Sequence, residues 1–265
     1  MTRYLADFWE EIVCRAKAAS RVIILLDYDG TLSPIALRPE LASLPAKTRE
    51  VLSRLNLNDK FEVGIISGRS LADIKALVGL EGLAYAGNHG LELECSKGSF
   101  VHPAAVSARP RLKKIYSRLA PKLAEINGVI VEDKGFSLSV HYRLVEKSAV
   151  ERVKTLFREV IEAPRKGGEV RVTEGKKVIE VRPPVDWDKG RAVEWLLGHY
   201  RVESPLVIFA GDDVTDEDGF KFVNQISGIS IRVGGESPAT SAAYYVRSPG
   251  ELSLALDKLS GLGNP

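Results

Sequence analysis

A chain of 265 residues, 45% hydrophobic, 27% charged and 7% aromatic, is long enough for one large α/β domain or for a core domain carrying a smaller insert. No apolar run approaches a membrane span, acidic residues break the N-terminal stretch where a signal peptide would be apolar, and two cysteines, Cys14 and Cys95, make neither a disulfide framework nor a zinc site. The net charge of +2 hides a division: residues 107–182 hold 18 Lys+Arg against 10 Asp+Glu, and the remainder holds 19 against 25. A basic middle in an acidic frame suits an anionic ligand, although solvated surface charge accounts for it equally well. No basic–aromatic stripe points to nucleic acid. A cytoplasmic protein with neither nucleic-acid nor membrane partners is expected.

Residues 4–19 place Leu5, Phe8, Ile12, Val13 and Ala16 at helical spacing, which predicts an amphipathic first helix. After Arg21 the chain is continuously apolar from Val22 to Leu26 and ends on Asp27, the pattern of a strand buried on both faces of a parallel sheet. A helix is predicted at 46–55, behind Pro45. A strand at 61–66 leads into Ser67-Gly68-Arg69-Ser70 and a helix at 71–78, with Ser70 as N-cap and Gly79 as stop. A short strand at 83–86 runs into Gly87-Asn88-His89-Gly90. Near residue 107 the rhythm changes to a helix at 110–126, strands at 129–131 and 136–142, a helix at 147–162, and strands at 169–173 and 177–182. From Asp188 the parallel rhythm resumes, with a helix at 189–199 and a strand at 206–210 that ends on Gly211-Asp212-Asp213. A further helix, strand and helix fill 217–260.

The expected fold is therefore α/β: a Rossmann-like parallel-sheet core, residues 1–106 and 183–265, with an inserted α+β cap domain of order αββαββ at 107–182. Open α/β sheets bind ligands beyond the carboxyl ends of their strands. Asp27, Ser67, His89 and Asp212 each fall just past such an end.

The chemistry of these positions converges on phosphate. A carboxylate at Asp27 can attack phosphorus, and a second at Asp29 can move a proton. The side chain of Asp27 and the carbonyl of Asp29 can share one hard cation. Gly30 permits a tight bend with backbone N–H groups turned to phosphate. Asp212, Asp213, Asp216, Glu217 and Asp218 crowd one strand end, and carboxylates so close repel unless a counter-ion joins them. A helix start explains Glu217 and Asp218 but not Asp212. Ser67-Gly68-Arg69 at a helix N-terminus seats an anion, although a simple cap reads the same way. Lys189 lies in the first turn of its helix, where it opposes the dipole and so suggests a phosphate or Asp27 partner.

Asp27-Tyr-Asp-Gly-Thr-Leu32, Ser67-Gly-Arg69, Lys189-Gly190 and Gly211-Asp-Asp-Val-Thr-Asp-Glu217 resemble the four motifs of the haloacid dehalogenase-like phosphatases. Gly87-Asn-His-Gly90, His141-Tyr-Arg143, Gly175-Lys176 and Glu180-Val-Arg-Pro183 are similar to markers of the trehalose-6-phosphate phosphatases among them. The resemblance runs from about residue 20 to 250. It implies hydrolysis of a small sugar phosphate, trehalose 6-phosphate, with Asp27 as nucleophile and Asp29 as general acid and base. It implies Mg²⁺ as cofactor, held by Asp27, the Asp29 carbonyl and Asp212, with Asp213 or Asp216 in support. Ser67 and Lys189 would bind the phosphoryl group, with the Gly68 backbone beside them. Arg69, Asn88 and His89 would face the sugar from the core side, and Lys134, Arg143, Lys176 and Glu180 from the cap. Some relatives carry a fused synthase domain, so the expected functional partner is a separate trehalose-phosphate synthase. Sucrose phosphate or mannosyl-3-phosphoglycerate as substrate, a phosphosugar mutase and a non-catalytic sensor domain remain alternatives.

Overall fold

The computed structural model describes residues 2–200 and 202–262, which fall into two compact units, Met1–Phe100 with Trp187–Pro265 and Val101–Asp186. The first begins with a short strand β1 (Arg3–Tyr4) and a 3₁₀ turn at Leu5–Phe8 before α1 (Trp9–Ala18). The single helix predicted over 4–19 is thus shorter, because Arg3 and Tyr4 pair in parallel with Tyr244 and Tyr245 at a sheet edge. Then follow β2 (Val22–Leu26), α2 (Ala46–Asn56), β3 (Phe61–Ile66), α3 (Leu71–Val78) and β4 (Ala84–Gly87). The Ser70 side chain accepts from the Asp73 amide, and Gly79 turns left-handed at φ +62°, so both ends of α3 follow their predicted caps. Two further strands, β5 (Glu92–Cys95) and β6 (Gly98–Val101), were not expected.

The second unit runs α4 (Pro103–Leu123), β7 (Ile130–Asp133), β8 (Leu138–His141), α5 (Val150–Lys166), β9 (Arg171–Gly175) and β10 (Val178–Arg182). This is the αββαββ order. Its antiparallel sheet is ordered β7-β8-β10-β9. Leu112, Ile115 and Leu119 of α4, Val153 and Phe157 of α5, and Leu138, Val140, Ile179 and Val181 of the strands form one apolar core. The unit therefore holds its own hydrophobic centre. Helix α4 starts seven residues before its predicted start at 110, at Pro103, and carries Pro110 inside. A proline at the first turn loses nothing, and Pro110 would free a carbonyl at the exposed residue Val106, where water can satisfy it.

The chain returns with α6 (Lys189–Tyr200), β11 (Leu206–Gly211), α7 (Glu217–Gln225), β12 (Ile229–Val233), β13 (Tyr244–Val246) and α8 (Pro249–Ser260). The last two strands replace the single one expected there. The first unit's sheet is ordered β1-β13-β12-β11-β2-β3-β4-β5-β6, parallel from β1 to β4 and antiparallel where β5 joins. In β2, Val22, Ile24 and Leu26 enter one apolar cluster with α1, α2, α3 and α8, while Ile23 and Leu25 enter another with α6 and α7. The period of two thus distributes one apolar run onto both faces of the sheet. Each such side chain stabilises the fold by roughly 1.5–3 kcal/mol. Strands β11, β2, β3 and β4 lie side by side at the middle, so their carboxyl ends converge on one region.

Candidate active site

Each of these neighbouring strands delivers one element of the site. Asp27 extends β2 by one residue, its amide bonded to the Ala210 carbonyl at 2.9 Å. The backbone then turns tightly: the Thr31, Leu32 and Ser33 amides all reach the Tyr28 carbonyl, and the Gly30 amide reaches Ser33 at 2.7 Å. Gly30 has φ +88°, and a Cβ there would lie 2.3 Å from Oδ2 of Asp212. Only glycine lets the two loops approach so closely.

Lys189, in the first turn of α6, donates to Oδ1 of Asp27 at 2.7 Å and to Oδ1 of Asp216 at 2.5 Å. Asp216 accepts from the Asp212 and Asp213 amides on its other oxygen, at 3.0 and 2.9 Å. Asp213 caps the turn by accepting from the Val214 amide. Asp27, Asp212 and Asp216 each offer a carboxylate oxygen within 4.8 Å of the others, and all three are buried. Burial, opposed by Lys189 and reinforced by Asp216 and Asp212, pushes the Asp27 carboxyl well above the usual carboxylate range. Burial also works against the Lys189 ammonium, but Asp216 and Asp27 outweigh it and hold its pKa above that of an ordinary lysine. Three buried carboxylates facing one ammonium leave an excess of negative charge. An all-oxygen donor set with that excess fits a hard divalent cation.

Beside this cluster, Ser67 follows β3, with its amide bonded to Ala86 at 2.9 Å and its hydroxyl accepting from the Arg69 amide at 3.2 Å. Arg69 grips Asp29 with two bonds, Nε and Nη2 each 2.7 Å from a carboxylate oxygen. Arg69, expected against a sugar, is thus engaged by Asp29. Asn88 and His89 follow β4 in left-handed conformations, φ 48° and 57°. The Asn88 amide donates to the Arg69 carbonyl and the His89 amide to that of Ser67, at 2.6 and 2.9 Å. The His89 imidazole lies so close over Gly68 that a Cβ there would be 2.7 Å from the ring. Among the first unit's residues the structure therefore brings together Asp27, Asp212, Asp216 and Lys189, and separately Ser67, Gly68, Arg69, Asp29, Asn88 and His89, from the turns that follow β2, β3 and β4.

In the second unit, Lys134 donates to Oε1 of Glu180 at 3.0 Å, and Ser139 donates to the same oxygen at 3.0 Å. Arg143 donates to the Lys176 carbonyl at 2.7 Å. Sequence reasoning missed Ser139 and Glu92, whose carboxylate accepts from the Asn88 side chain and the Leu71 amide at 2.7 and 2.8 Å. Ser139 meets Glu180 through the register of β8 and β10, and Glu92 meets Asn88 and Leu71 where the β4–β5 turn folds back onto the start of α3. Position alone carried no signal for either.

The fold is shared with the solved structure of a haloacid dehalogenase-like hydrolase from Bacteroides thetaiotaomicron, at a TM-score of 0.60 and 16% identity over 90% of this chain and 99% of that one. Residues 25–249 match the family model described as trehalose-phosphatase, and the chain belongs to that family. It is 36% identical to probable trehalose-phosphate phosphatase 3 of Oryza sativa subsp. japonica, over 95% of this chain and 72% of that protein. It is 39% identical to trehalose-phosphate phosphatase of Mycobacterium bovis, over 91% of this chain and 62% of the relative. The chain thus spans about two thirds of the length of these relatives. The structure of the C. albicans trehalose-6-phosphate phosphatase C-terminal domain superposes with a TM-score of 0.86 at 26% identity, covering 99% of each chain. No helix among the described residues is long and apolar enough to cross a membrane.

Proposed function

We propose that this chain hydrolyses trehalose 6-phosphate to trehalose and phosphate through an aspartyl-phosphate on Asp27. The observation that carries the reading is the buried cluster of Asp27, Lys189, Asp212 and Asp216 at adjoining strand ends, in a chain of the trehalose-phosphatase family. Asp27 attacks phosphorus, and the bond to the sugar oxygen breaks as Asp29 protonates the leaving group. Asp29 then takes a proton from water as that water displaces Asp27 and frees phosphate. Lys189 holds the Asp27 carboxylate in place and, with Ser67 and the Gly68 backbone, binds the phosphoryl oxygens. Asp27, Asp212 and the Asp29 carbonyl would hold Mg²⁺, which would neutralise phosphoryl charge when bound. Both oxygens of Asp216 are already committed, so with Asp213 it supports the metal ligands rather than joining them. The Arg69 guanidinium holds both oxygens of Asp29 in place between turnovers. In the acid half of the cycle Asp29 releases Arg69, which then turns to the sugar beside Asn88 and His89.

The second unit is read as the cap, expected at 107–182, with Lys134, Arg143, Lys176 and Glu180 binding the sugar hydroxyls. A cytoplasmic enzyme working beside a separate trehalose-phosphate synthase completes the reading. Phosphate release from trehalose 6-phosphate, sucrose 6-phosphate and mannosyl-3-phosphoglycerate tests it. Trehalose 6-phosphate is expected to be turned over fastest, with activity lost in chelator and restored by Mg²⁺. Full activity in excess chelator would remove the metal from the mechanism, and a tenfold preference for another sugar phosphate would replace the substrate.

A further inference from the structure

The chain leaves the first unit at Phe100 and re-enters it at Trp187. These two rings stack, with centroids 5.3 Å apart and planes at 28°, and Trp195 of α6 lies 5.6 Å from Phe100. Stacking uses only the faces of the indole. Its Nε1–H donates to the Gly90 carbonyl at 2.7 Å. Gly90 is pressed against α6: at its φ of +93°, a Cβ would lie 2.4 Å from that of Ala192 and 3.0 Å from Nε1 of Trp187. The preceding residue is His89, whose ring covers Gly68. Two residues after Trp187 comes Lys189.

We propose that Trp187 is a positioning residue, whose N–H on the Gly90 carbonyl holds the Asn88-His89-Gly90 turn against the start of α6. His89 is thereby presented to the sugar from a fixed position, with the start of α6 as the anchor. Two consecutive non-glycine residues in the left-handed region persist only where their surroundings over-determine them. The Trp187 bond supplies one such constraint, the Asn88 and His89 amides two more. A phenylalanine would fill the same stack and lack the donor. The inference rests on the reading of His89 as a sugar-side residue.

Trp187→Phe tests it, assayed on trehalose 6-phosphate and on a small aryl phosphate, alone and in a His89→Ala background. The variant is expected to lower kcat/KM for the disaccharide phosphate about tenfold, mainly through KM. The aryl phosphate should stay within about twofold, because it has no sugar for His89 to meet. In the His89→Ala background Trp187→Phe should add nothing further. An equal loss on both substrates, or a full additional loss without His89, would show that Trp187 merely packs, and would overturn the proposal. A wild-type protein inactive on trehalose 6-phosphate would refute the substrate reading instead. The decision then passes to NMR of the ring protons of His89, identified among the four histidines by their absence in His89→Ala. Those signals should shift in Trp187→Phe, and unchanged signals would overturn the proposal. Should Trp187→Phe fail to fold, Trp187→Tyr repeats both measurements.

Discussion

Tyr200 ends α6 with 4% of its surface exposed, and its hydroxyl has no hydrogen-bond partner among the described residues. A hydroxyl buried in this way has given up water for nothing, a penalty of about 1–3 kcal/mol. Burial also raises its pKa above the usual tyrosine value, with Glu62 and Cys95 adding to the shift. The sign follows directly: the fold keeps the proton where the unfolded chain, titrating near ~10, loses it. The neutral side chain's contribution is fully present below that pH and declines as pH rises. Tyr200→Phe is expected to be neutral or stabilising by up to about 1 kcal/mol at pH 8. Its advantage should grow by roughly 0.8 kcal/mol at pH 10.5, where the wild type alone carries this titration. Urea denaturation of both proteins at the two pH values checks this. The other tyrosines contribute alike to both and cancel. A constant difference between the two proteins would mean that the hydroxyl finds water.

At the level of elements, the loop after β2 and the loop after β11 are fitted to one another through Gly30. Gly30→Ala meets two obstacles, a left-handed φ and a carboxylate of Asp212 at 2.3 Å. The first alone costs about 1–2 kcal/mol. The second displaces Asp212, so half-maximal Mg²⁺ for phosphate release is expected to rise more than tenfold. Gly98→Ala is the control, with φ +146° but nothing within 4 Å, and it should leave the Mg²⁺ titration unchanged. Equal titrations for all three proteins would separate the Gly30 loop from the metal. Such loop ends were legible in the sequence because local chemistry marks them: an apolar run stopping on Asp27, a serine cap at Ser70, a glycine at Gly79. The β5–β6 hairpin was not, since its strands have four residues each and alternate too briefly to register. The start of α4 was hidden by Pro110, a residue that usually begins helices rather than sitting inside them. Within the site, the carboxylates could be read from the chain, but their pairings could not. That Arg69 holds Asp29, that Ser139 donates to Glu180 and that Trp187 donates to Gly90 follow from strand and loop register, which no local spacing encodes.

On the scale of the molecule, the proposed function assigns phosphate to residues of the first unit and sugar to residues of the second. In that reading Asp27, Ser67 and Lys189 would address a phosphate common to every candidate substrate, and discrimination would fall to groups such as Glu180. Glu180→Ala is expected to lower kcat/KM for trehalose 6-phosphate at least tenfold, about 1.4 kcal/mol, while an aryl phosphate changes less than about twofold. Steady-state kinetics on both substrates, with circular dichroism to confirm folding, check this. A parallel loss on both would deny the second unit its role in selectivity. The interrupted core also sets the order in which the protein can be made. Strand β2 pairs with β3 on one side, but on the other its Val22 waits for Leu206. A ribosome adding ~5–20 residues per second needs roughly 5–20 s to move from the end of the first segment to that strand. Meanwhile the second unit, with its own apolar centre, can close first. Throughout that interval the emerging chain carries an open edge of Val22–Leu26, all apolar and all destined for burial, which is the kind of surface that chaperones bind and that aggregates grow from. Asp212 emerges only behind that late strand, so under the proposed function a chain halted before it lacks one of the groups that would hold the cation.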